Sequence, residues 1–488
     1  MLLLLLVTCT DTRYILVLPR DNQRVRRAKD PVRFLVIVGT LGALVLGAGY
    51  FITDAIAQQV VPLKSGNLAT PAAVKVLSVR RAPTTLSTIS RSGALRRGVA
   101  NVSSQLPSGS CFTVEWLGDQ QASLRSTDSF IPASAQKVVT AAVALDVLGA
   151  QHTFETAVFG TGQIDTGIVQ DLYFVGGGDP LLVRREYMAT EKYPTFNETS
   201  LETLADSIVS AGVRSITGSI VGVDARYDAV RFLDAWPAEF NVVEAGPLGA
   251  LTVNDGAVVG QPMKLDNPAI AASNELRSLL GARGVSVAFD SRYELSVPST
   301  AQKVASITSA PLSKIVQEML VNSDNNTAEM LLKEIGFAQS KLGTTAAGIA
   351  VVQEFITKWK LPTTATVADG SGLSSNNRMS CANFMTLLKS NEEILPQLLP
   401  VAGQTGTLRS VFEDSPVKNR LVGKTGTLTG VKALVGYLPL EGNSPVRFAL
   451  LMNASGIDNQ GSYRPIWNSL GSALNRARAV PTPDQLAP

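Results

Sequence analysis

The chain has 488 residues, 45% hydrophobic and only 17% charged, with 43 Lys+Arg against 40 Asp+Glu. That is too much material for one compact core and points to several folding units. Residues 1–33 carry +4 and 54–100 carry +6, which leaves −7 on 101–488; an acidic body on a basic stalk is the reverse of a nucleic-acid binder, which concentrates basic charge on its folded domain.

Phe34 to Ile52 is an uncharged run, FLVIVGTLGALVLGAGYFI, about as long as a bilayer-crossing helix. Arg20, Arg24, Arg26, Arg27, Lys29 and Arg33 precede it and Asp54 follows. This asymmetry places the N-terminus inside and the rest outside. A retained signal anchor is expected; the competing reading is a signal peptide cleaved after Ala57, since Ala55-Ile56-Ala57 has the A-x-A form. A basic stretch beside a membrane suits anionic lipid or wall polymer.

Residues 53–100 read as a basic linker without strong periodicity. Cys111–Trp116, a Gly118-Asp119 turn and the stretch to Leu124 form a hairpin signal. A nearly all-apolar helix opens near Ser134 and stops at Gly149. From 153 to 303 the texture is β-rich, with strands expected at Thr153–Phe159, Asp171–Val175, Ile216–Val223, Met263–Leu265 and Val285–Phe289, and one helix at Leu201–Ala211. Helices are expected at Leu312–Leu320 and Asn326–Ile335, strands at Val422–Thr427, Val431–Pro439 and Val446–Met452, and a last helix from Tyr463 to Arg478. The expected organisation is a cytoplasmic segment (1–33), a transmembrane anchor (34–52), the linker (53–100), one domain built from 101–152 and 304–480, and an inserted β-rich domain at 153–303.

The single histidine, His152, excludes an HExxH zinc site. It lies at the end of a helix and reads as a polar loop residue rather than a triad member. Of the three cysteines, Cys9 precedes the apolar run, and only Cys111 and Cys381 are placed to pair outside; their spacing fits no metal pattern.

Ser134-Ala-Gln-Lys137 puts a hydroxyl and an amine three residues apart at a helix start, on one face. A serine needs a base to become a nucleophile, and a buried lysine near another cation loses its proton readily enough to be one. Alone the pattern is weak: Ser415-Pro-Val-Lys418 repeats it in a polar run. Ser323-Asp324-Asn325 precedes a helix; its Ser can relay a proton and its Asn can hold a carbonyl. Lys424-Thr425-Gly426-Thr427 sits in a strand whose edge can take an extended peptide. There Lys424 and Thr425 can bind a carboxylate, and Gly426 removes bulk. The backbone N–H groups of Thr427 and Ser134 can form an oxyanion hole. SxxK, SxN and KTG in that order are the set used by penicillin-recognising serine enzymes.

With these motifs the chain resembles, over roughly 105–480, the D-alanyl-D-alanine carboxypeptidase/endopeptidases of the class C (type-4) low-molecular-mass penicillin-binding proteins. Further residues carry the likeness: Gly176-Gly-Gly-Asp-Pro-Leu181, Gly246-Pro-Leu-Gly-Ala-Leu251, Ser323 to Glu329, and Asp369-Gly-Ser-Gly-Leu-Ser374 with Asn377-Arg378. The resemblance implies an α/β (α+β) serine transpeptidase/β-lactamase-like domain, a central antiparallel sheet flanked by helices, with the β-rich insertion. It implies Ser134 as the acylated nucleophile, Lys137 as its base, and proton relay and substrate holding by Ser323 and Asn325. Lys424, Thr425, Gly426 and Thr427 would line the substrate strand, with Ser371 and Leu373 at the rim of the site. The substrates would be peptidoglycan stem peptides ending in D-Ala-D-Ala, β-lactams would be covalent inhibitors, and no metal or cofactor is implied. Two departures stand out. Gly403-Gln-Thr-Gly-Thr-Leu408 lacks the acidic residue usual before its second Gly, and the 189-residue gap from Ser134 to Ser323 is short, with room for one full inserted domain and a reduced second. Two rival readings remain: a β-lactamase or esterase on the same fold, which needs fast deacylation by water, and a non-catalytic wall-binding or penicillin-sensing protein, which would not need the complete set of reactive side chains.

Overall fold

The computed structural model describes residues 36, 39–48 and 82–478 apart from 242, 262 and 362–364. Residues 36 and 39–48 are helical; the remainder of the expected span at 34–52 lies outside the described residues. Among the described residues no helix is long and apolar enough to cross a membrane.

In the body, five strands form one antiparallel sheet in the order Val422–Leu428, Val431–Leu440, Asn443–Asn453, Ser110–Trp116, Asp119–Leu124. The alternation of the strands divides their side chains between two cores. Ala433, Val435, Tyr437, Ala449 and Leu451 face one of them, together with the helices Lys137–Leu148, Leu312–Asn322, Asn325–Ser340 and Cys381–Ser390. Leu434, Leu438, Phe448, Leu450 and Met452 face the other, against Gln460–Asn475 and Ala82–Ser103. A one-residue slip would turn every one of these side chains to the wrong face, so the register is strongly specified.

The helix Ala82–Ser103 corrects the end of the linker expected at 53–100, of which 53–81 lie outside the described residues. Leu95, Val99 and Val102 are fully buried beside Trp467 and Leu474, while Arg91 stacks over Trp116 at 4.9 Å. Its apolar face is narrow and set among Ser, Thr and Arg, which hides it from a periodicity search. Cys111 and Cys381 form a disulfide that ties the sheet to the helix starting at Cys381. A bridge across 270 residues of chain stabilises by roughly 2–5 kcal/mol and belongs in an oxidising compartment.

The insertion builds a second, seven-stranded sheet with its own core of Val158, Leu172, Phe174, Ile216 and Ile220. Its edge strand Gln302–Thr308 pairs with Glu155–Gln163 and carries the sheet past residue 303. The helix Pro268–Gly281, N-capped by Asn267, packs into this core and was not expected from the sequence. Met263–Leu265, expected as a strand, is irregular. No regular strand occurs between 224 and 266 among the described residues. Tyr227, Trp236, Ala245 and Leu248 of this stretch pack on Met330 and Leu373, so the insertion forms one wall of the cleft described next.

Candidate active site

Ser134 lies in a 3-10 turn, Ala133–Gln136, that runs directly into the helix begun by Lys137. Lys137 is fully buried, and its Nζ donates to Ser134 Oγ at 3.1 Å, Asn325 Oδ1 at 2.6 Å and Ser371 O at 2.8 Å. Three acceptors account for the three N–H groups an ammonium offers. Burial pushes its pKa down to about 8, while Asp369, Glu329, Asp324 and Glu244 pull the other way. The amine can therefore shed its proton near neutral pH and take one from a serine hydroxyl 3.1 Å away.

The SxN triplet sits between two helices. Ser323 ends Leu312–Asn322 in the left-handed conformation, φ 65°. Asp324 caps the next helix through the Thr327 N–H, and Asn325 is that helix's first residue. The left-handed cap costs a non-glycine residue of order 1 kcal/mol. In this conformation the hydroxyl of Ser323 accepts from Lys424 Nζ at 2.8 Å. Asn325 spans the cleft floor, accepting from Lys137 and donating to the Glu244 carbonyl at 2.6 Å.

Lys424 also donates to the Thr425 carbonyl at 2.9 Å and is fully buried. Burial and then the neighbouring Lys137 and Lys432 hold its pKa well below the lysine range. Its amine is turned to Ser323 rather than open to a carboxylate, as the sequence led us to expect. Gly426 has a structural reason. A Cβ there would lie 2.5 Å from the Pro132 carbonyl oxygen and 3.1 Å from the Ala135 nitrogen. The bare backbone lets the strand sit against the turn that carries Ser134.

Ser371 does not rim the cleft: it is fully buried and contributes its carbonyl to Lys137. Leu373 lines the cleft. The loop behind them is held by two buried carboxylates. Glu329 accepts from the N–H groups of Gly370 and Ser371, and Asp369 from those of Gly372 and Ser374 and from Asn377 and Trp236. Burial, with Asp369 beside it, raises Glu329 to about 7, and burial raises Asp369 as well. Gly372, at φ 86°, passes so close that a Cβ would meet the Ala133 carbonyl at 2.0 Å.

Ser134, Ser323, Asn325, Thr425 and Thr427 open together onto a cleft of about 840 Å³. Sequence reasoning missed Glu244, Thr407 and Lys432 there. Thr407, within the loop that departs from the family pattern, bonds its hydroxyl to that of Thr425 at 2.9 Å. Its one sequence signal was the KTG-like Gln404-Thr-Gly406 next to it. His152 lies 4.0 Å from Glu334, and it is absent from the cleft lining. Among the described residues no group of three or more His, Cys, Asp or Glu could hold a metal ion.

A family model described as D-Ala-D-Ala carboxypeptidase 3 (S13) matches residues 112–261 and 255–466. A D-alanyl-D-alanine carboxypeptidase of Actinomadura is 29% identical over 408 residues, covering 66% of this chain and 73% of the relative. In fold, the crystal structure of penicillin-binding protein 4 from Haemophilus influenzae matches with a TM-score of 0.64 at 21% identity, covering 78% of this chain and 99% of that one. The same Haemophilus protein complexed with a β-lactam gives 0.56 at 22% identity, over 76% and 99% of the two chains.

Proposed function

The chain belongs to the D-Ala-D-Ala carboxypeptidase 3 (S13) family, and on that premise we propose that it cuts the terminal bond of peptidoglycan stem peptides through an acyl-enzyme on Ser134. Its activity is that of a serine-type D-Ala-D-Ala carboxypeptidase. The observation that carries the residue assignment is the 3.1 Å contact between Ser134 Oγ and a fully buried Lys137 amine at the floor of the cleft.

Neutral Lys137 takes the Ser134 proton as Oγ attacks the carbonyl. The backbone N–H groups of Ser134 and Thr427 face the oxyanion. Ser323, held by Lys424, relays that proton from Lys137 to the departing amine, and Asn325 holds the acyl-side amide. Thr425 and Thr427 offer hydroxyls to the terminal carboxylate. Water then releases the acyl group: Lys137, neutral again, takes a proton from the attacking water and returns one to Ser134 Oγ. A β-lactam enters the same sequence, but its leaving group stays tethered, so the acyl-enzyme persists. A pentapeptide ending in D-Ala-D-Ala should release one D-Ala, monitored by amino-acid analysis, while the L-Ala-terminated isomer stays intact. Equal cleavage of both would defeat the reading.

We also infer that the apolar segment 34–52 tethers the enzyme to the membrane with its catalytic body outside and a folded part that begins near residue 82. The length of that segment and the arginines before it support this. Full-length protein should sediment with membranes and resist a salt wash, whereas a chain starting at residue 82 should stay in the supernatant. Full-length protein in the supernatant, apart from a product cleaved after Ala57, would refute the tether.

A further inference from the structure

A peptide ending in D-Ala-D-Ala brings a carboxylate into the cleft, and a desolvated carboxylate needs donors and positive charge that the resting protein has not already used. Of the four lysines at this site, Lys192 comes from the insertion and lies over the Tyr193 ring, and two others are committed. Lys137 donates to Ser134, Asn325 and Ser371. Lys424 is sealed against Ser323 and the Thr425 carbonyl.

Lys432 is different. It is the second residue of the strand Val431–Leu440, directly across from Thr427 in the antiparallel register, and it lines the cleft. Its Nζ donates to Thr427 Oγ1 at 2.8 Å, its one hydrogen bond among the described residues. The same ammonium lies 3.9 Å above the Tyr463 ring centroid and 5.2 Å from that of Trp467. Aromatic faces stabilise a cation without using its N–H groups, so two donors remain for a ligand. By accepting from Lys432, the exposed Thr427 hydroxyl keeps its own proton free to donate to an anion. Arg464 lines the same end of the cleft, with Asp458 as the facing acid.

We propose that Lys432, through Thr427, is the cation that binds the C-terminal carboxylate of the substrate and makes the enzyme select free-acid over neutral C-termini. This role for Lys432 presupposes the carboxypeptidase reading above. Neither the family match nor the motif set assigns this residue.

The test compares kcat/KM of the full-length enzyme for a peptide ending in D-Ala-D-Ala with that for the same peptide ending in a carboxamide, detecting D-Ala or D-alaninamide release. Loss of a charge-assisted contact corresponds to roughly a tenfold to hundredfold effect. The wild-type enzyme should prefer the free acid by about that factor. Lys432→Met should lower kcat/KM for the free acid by the same factor and leave the carboxamide within about twofold, erasing the preference. Lys432→Arg should keep most of it. If the methionine variant does not fold, Lys432→Gln serves in its place. Equal losses on both peptides, an undiminished preference in Lys432→Met, or no preference in the wild-type enzyme would overturn the role of Lys432 while leaving the peptidase reading intact. Wild-type enzyme that cleaves neither peptide overturns the carboxypeptidase reading, and the role of Lys432 with it.

Discussion

Ser134→Ala should lower D-Ala release by at least about a thousandfold, because removing the nucleophile of a serine hydrolase leaves only binding and oxyanion stabilisation. The change deletes one oxygen from a half-buried side chain that lines the cleft. Lys137 keeps Asn325 Oδ1 and the Ser371 carbonyl as partners, so the fold and the cleft should survive. The variant should therefore still bind the peptide with a dissociation constant close to the wild-type value, as read by calorimetry. Activity within tenfold of wild type would mean that another group attacks.

Lys137→Met should cost acylation roughly a hundredfold to ten-thousandfold, the range over which a positioned base contributes. Methionine approximates the lysine stem, so packing in this buried site is largely kept, though Asn325 and the Ser371 carbonyl each lose a donor. Thermal melting separates that structural cost from the chemical one. The pH profile gives a second readout. The base must be neutral to accept a proton, and burial holds Lys137 at about 8. Below that value the neutral fraction, and with it acylation, should fall about tenfold per pH unit; above it this limb should flatten. The Lys137→Met variant should lack the acid limb. An identical limb in wild type and variant would assign it to another group.

The two carboxylates behind the base explain why its pKa does not fall further. Glu329 and Asp369 both favour the protonated lysine, yet burial raises the pKa of each, and Asp369 raises that of Glu329 further. Both also accept the loop N–H groups that aim the Ser371 carbonyl at Lys137. The same pair thus sets the position of the base and limits how acidic it becomes.

That Ser134, Lys137, Ser323, Asn325 and Lys424 come together was legible in the sequence, because the proposed chemistry needs those side chains at those intervals. The hairpin at 110–124 was legible from its Gly118-Asp119 turn, and the strands from 422 onward as short strand-like runs, two of them buried on both faces between the two cores. What stayed hidden had a physical reason in each case. Glu244 acts through its backbone carbonyl, which no side-chain pattern reports. Lys432 reads as an ordinary charged strand residue until the register sets it opposite Thr427. Ser371 was expected at the rim from its motif, but the turn at Gly372 buries the hydroxyl and presents the carbonyl instead. The helix 82–103 buries too few large side chains to stand out, and Pro268–Gly281 is an Ala- and Ser-containing helix set in a β-rich stretch.

The most direct test of the account is peptide mapping of the full-length enzyme after reaction with benzylpenicillin, beside Ser134→Ala treated in the same way. One penicilloyl adduct is expected, on the peptide that contains Ser134, and none in the variant. An adduct on another residue, one that persists in Ser134→Ala, or the absence of any adduct would contradict it, and fast penicillin hydrolysis without a lasting adduct would favour a β-lactamase on this fold.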